Sequence, residues 1–286
     1  MKSNKNSSRG RQAGKGKPQR TKRNFNPKKN ASHSKFEQKK PAKKQVQKSP
    51  GEGIRLNKYI ANAGICSRRE ADVFIGAGSA MVNGKVITEM GYKVMPTDEV
   101  RFDGSIINPE AKRYVLLNKP KNYITTMDDD RGRKTVMDLI GRATKERIYP
   151  VGRLDRNTTG LLLFTNDGEL AKKLTHPKHN VQKLYHAQLD KKLNLGDLNK
   201  ISEGFYMDDF RVQVDEISYI QGAPKNEVGV KIHSGRNRIV RRIFEHFNYS
   251  VLKLDRVVFA GLTKKDLPRG HYRHLTEMEV NNLRML

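Results

Sequence analysis

The sequence predicts an α+β protein, in which a small mixed module precedes a larger domain built on a largely antiparallel sheet flanked by helices. Two observations favour this fold class. The chain has 286 residues, 35% of them hydrophobic, which is enough to bury a sizeable core. In the larger domain, apolar runs of strand length outnumber the helical patterns and do not alternate strictly with them, so a doubly wound parallel sheet is disfavoured.

Charge is distributed unevenly along the chain. Lys and Arg number 57 against 30 Asp and Glu, which gives a formal net charge of +27. Residues 1–53 hold 17 of the basic side chains, only 2 acidic ones and few residues that a core would bury. Such a segment cannot offset its ordering entropy, so we predict a disordered basic tail over 1–53. The tail either contacts RNA through its charge or serves only to keep the protein in solution.

The rest of the composition indicates a polyanionic partner and a cytoplasmic location. The chain after the tail is also basic, which favours nucleic acid over a membrane surface. No apolar run approaches the ~18 residues of a membrane span, and no apolar stretch follows the charged N-terminus as in a secretory signal. Cys66 is the single cysteine, so an internal disulfide and a multi-cysteine zinc site are excluded. We therefore expect a cytoplasmic protein that acts on nucleic acid.

Residues 54–107, termed the N-terminal module below, begin with two predicted helices. Apolar residues recur at helical spacing from Leu56, and Gly64 suits the end of that helix. Ser67 followed by Glu70 matches a capping box at the start of the second helix. We therefore predict a pair of short helices that precedes a small sheet.

The sheet of the N-terminal module is indicated by a hairpin signal. Asn83-Gly84 separates two apolar runs and suits a type I′ turn, in which both turn residues have positive φ. A further strand is predicted over 99–102. Two short helices and a small sheet in about 50 residues resemble the S4 RNA-binding module, and the segments that carry this resemblance are 55–60, 67–71 and 82–85.

The resemblance implies that the N-terminal module presents positive charge to an RNA backbone while its apolar residues pack inward. The alternative is that the same side chains form ordinary solvated helix faces. A pair of arginines at a helix start, followed by a hairpin that ends in lysine, favours RNA binding. The RNA-binding residues predicted in this module are Arg55, Lys58, Arg68, Arg69 and Lys85.

The larger domain is predicted over 112–286, after a short linker over 104–112. Its strand-like runs are 114–117, 161–165, 185–189 and 228–232. Its helical patterns are 135–140, 168–175, 194–203 and 237–247.

Several kinds of site are disfavoured because their patterns are missing. No P-loop occurs, and no glycine-rich loop joins a strand to a helix as a dinucleotide or S-adenosylmethionine site requires. His176 with His179, and His271 with His274, have no further metal-ligand pattern nearby. The acidic triplet 128–130 has the character of a solvated turn. We therefore expect no cofactor and no metal.

One stretch of the larger domain has the features of a catalytic loop. Asp155 is a lone acid in a polar loop bounded by Gly152 and Gly160, and an apolar strand follows. The two glycines allow backbone to approach a ligand closely. By itself such an Asp is more often a turn or cap residue than a nucleophile, so this pattern alone leaves its role open.

The sequence around Asp155 resembles the signature loop of the pseudouridine synthases, in the RsuA/RluB branch that isomerises uridines in bacterial ribosomal RNA. Gly-Arg-Leu-Asp at 152–155 is followed by Gly-Leu-Leu-Leu-Phe-Thr at 160–165. Asn122 stands where the family usually has Gly, and Asn tolerates the left-handed conformation almost as well. The other segments that match, in the family's order, are 117–120, 125–126, 131–133, 135–139, 166–170, 183–185 and 235–242.

This resemblance implies a catalytic set of three residues. Asp155 acts at C1′ of a uridine, either by covalent attack or by stabilising positive charge, while the C1′–N1 bond breaks and C5 joins C1′. Tyr185 packs on the target base and assists proton removal at C5, although a core aromatic is the alternative. The reaction has no redox change and no group transfer, so no cofactor is needed.

Arg241 is the third residue of the set, and the resemblance implies that it pairs with Asp155. A buried guanidinium would keep the carboxylate ionised and fix its rotamer. The helical pattern, however, places Arg241 with Arg238 and Glu245 on the polar side of its helix. The alternative is therefore a surface arginine that contacts RNA phosphate. The residues of the larger domain predicted to bind RNA are Lys119, Arg153, Arg236, Arg238 and Arg242.

The expected partner is ribosomal RNA, and we expect a monomer. The Gly-Arg-Asn-Arg motif at 235–238 and the long basic tail favour large-subunit (23S) over small-subunit (16S) rRNA. A non-catalytic assembly factor on the same scaffold is the competing class, and it need not retain Asp155, Tyr185 and Arg241. A methyltransferase and a tyrosyl-tRNA synthetase are disfavoured because their nucleotide-binding signatures are missing.

Overall fold

The structure, a computed structural model, describes residues 53–207 and 210–286. The basic tail predicted over 1–53 therefore lies outside the described residues, apart from Gly53. The helices and strands of the N-terminal module are β1 (Ile54–Arg55), α1 (Leu56–Asn62), α2 (Arg68–Gly76), β2 (Ala80–Val82), β3 (Lys85–Val86), β4 (Lys93–Val94), β5 (Val100–Phe102) and β6 (Ser105–Ile106).

Local signals predicted this module well. The Ser67 hydroxyl accepts a hydrogen bond from the Glu70 amide, while the Glu70 carboxylate accepts one from the Ser67 amide, so the capping box at α2 is confirmed. Asn83 and Gly84 have φ of 51° and 77°, and β2 pairs with β3 around them. Strands β1, β4 and β6 were not predicted; β1 pairs with β4, and the sheet order is β3-β2-β5-β6.

The segment 104–112, which we predicted as a short linker, contacts both the N-terminal module and the larger domain. Its start forms β6. The Glu110 amide donates to the Asn62 carbonyl at 2.8 Å, and its carboxylate accepts a hydrogen bond from the Arg147 amide at 3.1 Å. The described residues, 53–207 and 210–286, form one compact unit, so the division between 107 and 112 stays a prediction.

The larger domain has a nine-stranded sheet within the described residues. Its strands are β7 (Tyr114–Lys119), β8 (Tyr149–Pro150), β9 (Thr159–Thr165), β10 (Lys183–Leu189), β13 (Glu216–Tyr219), β14 (Glu227–Ile232), β15 (Val251–Phe259), β16 (Leu262–Thr263) and β17 (Tyr272–His274). A separate hairpin consists of β11 (Phe205–Met207) and β12 (Phe210–Val212). The helices are α3 (Met137–Ile140), α4 (Gly168–Thr175), α5 (Leu195–Glu203), α6 (Ile239–His246) and α7 (Glu277–Met285).

The sheet confirms the predicted α+β class. Its main strand order is β13-β14-β10-β15-β9-β7-β17, with β16 added to β15 and β8 added to β9. Every pairing in it is antiparallel except that between β9 and β15, which is parallel. Because β7 and β9 are central, their apolar side chains are buried on both faces. None of the described helices is both long and apolar enough to cross a membrane.

Candidate active site

The loop that carries Asp155 runs from β8 to β9, and a neighbouring segment holds its backbone. The Thr125 hydroxyl donates to the Leu154 carbonyl at 2.8 Å. The amide of Asn122 donates to the Arg156 carbonyl at 2.9 Å. Asn122 has φ of 71°, so the left-handed conformation expected there is confirmed. The segment after β7 therefore positions the loop on one side.

Lys119 holds the same loop from the interior. It is fully buried, and its ammonium group donates to the carbonyls of Asp155 at 3.2 Å, Arg156 at 3.3 Å and Thr158 at 2.9 Å. Burial lowers the pKa of Lys119 to about 8, the charge of Asp155 opposes this shift, and that of Arg269 adds to it. The expectation that Lys119 binds RNA is wrong, because RNA cannot reach a side chain that the loop itself covers.

Gly160 marks the point where the chain leaves the loop and enters β9. Its φ is 104°, and a Cβ there would lie 2.3 Å from the carbonyl oxygen of Arg256, 2.5 Å from its nitrogen and 2.7 Å from Oδ1 of Asp255. The glycine therefore permits the close approach of β9 to β15. We expected it to permit the close approach of backbone to a ligand instead. Gly152 differs: its φ is 74°, but the nearest atom to an added Cβ is Cγ2 of Thr175 at 3.8 Å.

Arg241 lies beside Asp155 with unused hydrogen-bonding capacity. Its Nη1 donates to the Val251 carbonyl at 2.7 Å, whereas Nε and Nη2 are buried and have no hydrogen-bond partner among the described residues. Burial lowers the pKa of Arg241, the charge of Arg238 adds to this, and the negative charge of Asp155 opposes it. The two groups therefore interact electrostatically. Within the described parts of the chain, no hydrogen bond or ion pair joins Asp155 to Arg241.

The face of α6 that carries Arg241 differs from the prediction. Arg241 is only 8% exposed, so placing it on the polar side of the helix was wrong. Arg238 and Glu245 do lie on the exposed side, where they form an ion pair at 3.3 Å. A guanidinium is tolerated in the interior here because one of its nitrogens is bonded to a carbonyl and a carboxylate lies nearby.

Tyr185 lies on the central strand β10, opposite Val230 of β14 and Arg256 of β15. Its half-buried ring packs against two hydrophobic clusters, one of which contains Leu154, the neighbour of Asp155. The tyrosine is therefore partly a core residue and partly accessible beside the loop. The structure brings Asp155, Tyr185 and Arg241 to one region, although they are far apart in the sequence.

Sequence reasoning missed a charged cluster on β15. The Asp255 carboxylate accepts hydrogen bonds from Arg269, Lys264 and Thr159. Burial raises the pKa of Asp255, but these bonds together outweigh it and hold the pKa at about 2. Arg256 is also buried and donates to a backbone carbonyl of β9. An Asp-Arg pair inside a strand whose other residues, apart from Lys253, are apolar was the signal available in the sequence.

A groove of about 1060 Å³ separates the N-terminal module from α4. Lys58 bonds to Glu169 across it at 2.7 Å, and Lys112 bonds to Asp167 at 3.0 Å. Two residues predicted to bind RNA, Lys58 and Arg68, line this groove together with basic side chains of the larger domain. The basic residues that line the groove include Lys58, Arg68, Lys112, Arg147, Lys172 and Lys173.

The remaining residues predicted to bind RNA lie at or near the surface. Arg242 is half-buried and stands with Arg236 over the ring of Phe210, at 5.6 and 3.9 Å from its centroid. Their contact with RNA stays a prediction. Those that are exposed are Arg55, Arg69, Lys85, Arg153, Arg236 and Arg238.

Side chains that could bind a metal do not cluster within the described residues, 53–207 and 210–286. No group of three or more His, Cys, Asp or Glu side chains in these ranges is placed to hold a metal ion. The groups near the loop that can take part in chemistry include the carboxylate of Asp155, the guanidinium of Arg241, the ammonium of Lys119 and the phenol of Tyr185.

Comparisons with known proteins show which families the chain is similar to. The family model of RNA pseudouridylate synthases matches residues 113–246, and that of the S4 domain matches residues 54–100. A crystal structure of a pseudouridylate synthase is similar, with a TM-score of 0.58 and 26% identity, over 80% of this chain and 99% of that one.

Two relatives are each described as ribosomal large subunit pseudouridine synthase B. The Bacillus subtilis (strain 168) protein is 41% identical over 235 residues, which are 81% of this chain and 96% of the relative. The Haemophilus influenzae protein is 38% identical over 267 residues, which are 89% of this chain and 74% of the relative. Because this similarity extends along most of both chains, the chain belongs to the RNA pseudouridine synthases.

Proposed function

We propose that this chain isomerises a specific uridine of ribosomal RNA to pseudouridine, and that the RNA is that of the large subunit. One observation carries the proposal. Asp155 stands on a loop that buried Lys119 holds in place, and it interacts electrostatically with Arg241. Two buried nitrogens of Arg241 have no hydrogen-bond partner among the described residues. The descriptions of the Bacillus and Haemophilus relatives support the choice of the large subunit.

Asp155 is the group that acts on the ribose. Arg241 retains its proton at neutral pH, so it keeps the nearby carboxylate ionised and offers donors that orient it. The carboxylate either attacks C1′ or stabilises positive charge there while the C1′–N1 bond breaks. The uracil then turns and C5 bonds to C1′, which breaks the bond from the carboxylate to C1′ where one has formed. The proton on C5 leaves, and N1 gains one. Atoms and electrons balance within the substrate, so the step needs no cofactor.

Tyr185 contacts the uracil of the target uridine. A uridine must leave its stack to reach a loop of this kind, at a cost of a few kcal/mol. A ring that is half-buried against Leu154 is rigid and lies beside the site, so stacking on the uracil offsets part of that cost, by roughly 1–3 kcal/mol. We assign to its hydroxyl a role in removing the proton from C5.

RNA binding is distributed over the chain. The groove lined by Lys58 and Arg68 on one wall and by Lys112 and Arg147 on the other offers positive charge to a phosphate backbone. Such contacts fix the register of the RNA, whereas the loop selects the reacting nucleotide. We further propose that the protein acts as a monomer in the cytoplasm, where ribosomal RNA is available to it.

The test is the nearly isosteric substitution Asp155→Asn. It removes the negative charge and with it both candidate roles of the carboxylate, so we expect no detectable tritium release from C5-labelled uridine in rRNA. RNA affinity should stay near normal, because most of it comes from phosphate contacts elsewhere. Asp130→Asn is the matched control, since Asp130 is exposed and makes no side-chain hydrogen bond among the described residues; it should release tritium at the wild-type rate.

Isomerisation by Asp155→Asn at more than a trace would mean that another group carries the chemistry. A wild-type protein that binds rRNA but never releases tritium would support the competing class, a non-catalytic assembly factor. Mapping of pseudouridines in both rRNAs of a strain that lacks the gene identifies the target. A site lost from 16S instead of 23S rRNA would refute the large-subunit assignment.

A further inference from the structure

Arg269 contacts two separate parts of the structure that support the Asp155 loop. Its Nη1 and Nη2 donate to the two carboxylate oxygens of Asp255 at 3.0 and 2.9 Å. Nη1 also donates to Oδ1 of Asn118 at 2.5 Å and to the carbonyl of Lys119 at 3.3 Å. One guanidinium therefore links the end of β7 to the middle of β15.

Each of these contacts continues to the loop. On the β7 side, Lys119 donates to the carbonyls of Asp155 and Thr158. On the β15 side, Asp255 accepts a hydrogen bond from Thr159, the first residue of β9, at 2.9 Å. The loop is thus held from within by the side chain of Lys119 and at its downstream end by that of Asp255. The backbone carbonyl of Lys119 and the carboxylate of Asp255 both accept hydrogen bonds from Arg269.

We propose that Arg269 is a positioning residue for the isomerisation, which fixes the place of Asp155 by joining Lys119 to Asp255. The inference rests on the proposed function for its catalytic consequence, but its structural part is independent of that function. The planar guanidinium is suited to this role, because it presents several donors in fixed directions and cannot be replaced by a single ammonium point charge. A small displacement of a reacting group lowers the rate far more than it weakens binding.

The chain supplies a matched control four residues away. Arg273 donates to both carboxylate oxygens of Glu279 at 2.8 and 2.6 Å. The arginine side chains are 39% exposed at 269 and 31% at 273, and their acidic partners are 15% and 21% exposed. The second pair ties β17 to α7 and makes no contact with the Asp155 loop among the described residues, so a purely structural role predicts similar effects for both.

The first experiment separates kcat from KM with an rRNA fragment as substrate. For Arg269→Gln we expect kcat to fall by about 10- to 100-fold while KM stays within about twofold of wild type. Arg273→Gln should lower Tm by a similar amount and leave kcat within about twofold of wild type. Arg269→Lys keeps the positive charge but loses the planar set of donors. Its kcat should therefore lie between that of Arg269→Gln and that of wild type.

The second experiment does not depend on catalysis. Amide hydrogen exchange of the peptide that spans 150–160 should become faster in Arg269→Gln and stay unchanged in Arg273→Gln. If Arg269→Gln does not fold, Asp255→Asn, which keeps the size of the side chain, is measured in the same way and should give the same two results.

Three outcomes would overturn the inference. The first is an equal kcat for the glutamine variants at 269 and 273. The second is a raised KM with unchanged kcat in Arg269→Gln, since that would identify Arg269 as an RNA phosphate contact. The third is unchanged exchange of the loop peptide. Failure of the proposed function is distinct, because it would appear as an inactive wild-type protein whose loop exchange still depends on Arg269.

Discussion

Gly160→Ala should destabilise the protein much more than Gly152→Ala, although both glycines flank the Asp155 loop and both have positive φ. At Gly160 the new methyl group would lie 2.3 and 2.5 Å from backbone atoms of Arg256, which cannot move without separating β9 from β15. At Gly152 the nearest atom is the methyl carbon of Thr175 at 3.8 Å, so no clash arises.

The magnitudes follow from these distances. Gly152→Ala carries only the cost of a left-handed alanine, roughly 1–2 kcal/mol. Gly160→Ala carries a backbone cost of roughly 1–3 kcal/mol for φ of 104°, and overpacking adds roughly 1–3 kcal/mol or more. We therefore expect a difference of about 2 kcal/mol or more between the two variants. A change of 1 kcal/mol shifts the Tm of a domain of this size by about 2–4 °C.

The assay is urea unfolding followed by circular dichroism, with thermal unfolding as a second measurement. The free energy of unfolding should fall modestly in Gly152→Ala and severely in Gly160→Ala, to the point where a folded baseline is lost. Equal losses in the two variants would refute the reasoning, because they would show that φ alone, and not the contact between β9 and β15, requires the glycine. Full stability of Gly160→Ala would contradict the parallel pairing itself.

Two further predictions concern groups that bind or support the RNA site. Lys119→Met should lower kcat by at least about tenfold with RNA affinity retained, since the carbonyls of the Asp155 loop lose their shared donor. Because the pKa of Lys119 is lowered from 10.5 to about 8, the folded protein binds fewer protons than the unfolded chain between these values. The stability of wild type relative to Lys119→Met should therefore rise as pH increases from about 8 to 10.5, by up to about 3 kcal/mol in urea unfolding, and a constant difference would contradict this. Joint replacement of Arg68 and Arg69 by Ala should weaken RNA binding in filter assays and reduce its salt dependence, while turnover at saturation is kept; unchanged affinity would argue against RNA contact there.

The sequence by itself determined the features that depend on residues close together in the chain. The capping box of Ser67 and Glu70, the positive φ of Asn83-Gly84 and the left-handed Asn122 are confirmed because each is an interaction within a few residues or a property of one backbone position. The α+β class followed from the pattern of apolar runs, and the loop that carries Asp155 followed from its motif.

Tertiary structure alone decided which charged side chains are buried. Lys119 and Arg241 are basic side chains of the kind that contacts RNA, but strands and loops from elsewhere in the chain cover them. Lys119 therefore positions the loop, and Arg241 interacts with Asp155. The role of Gly160 and the hydrogen bond from Thr159 to Asp255 likewise depend on β9 lying parallel to β15, some 95 residues away. A hydrophobic pattern shows that a strand is buried, but not which distant strand adjoins it, because burial energy is non-directional.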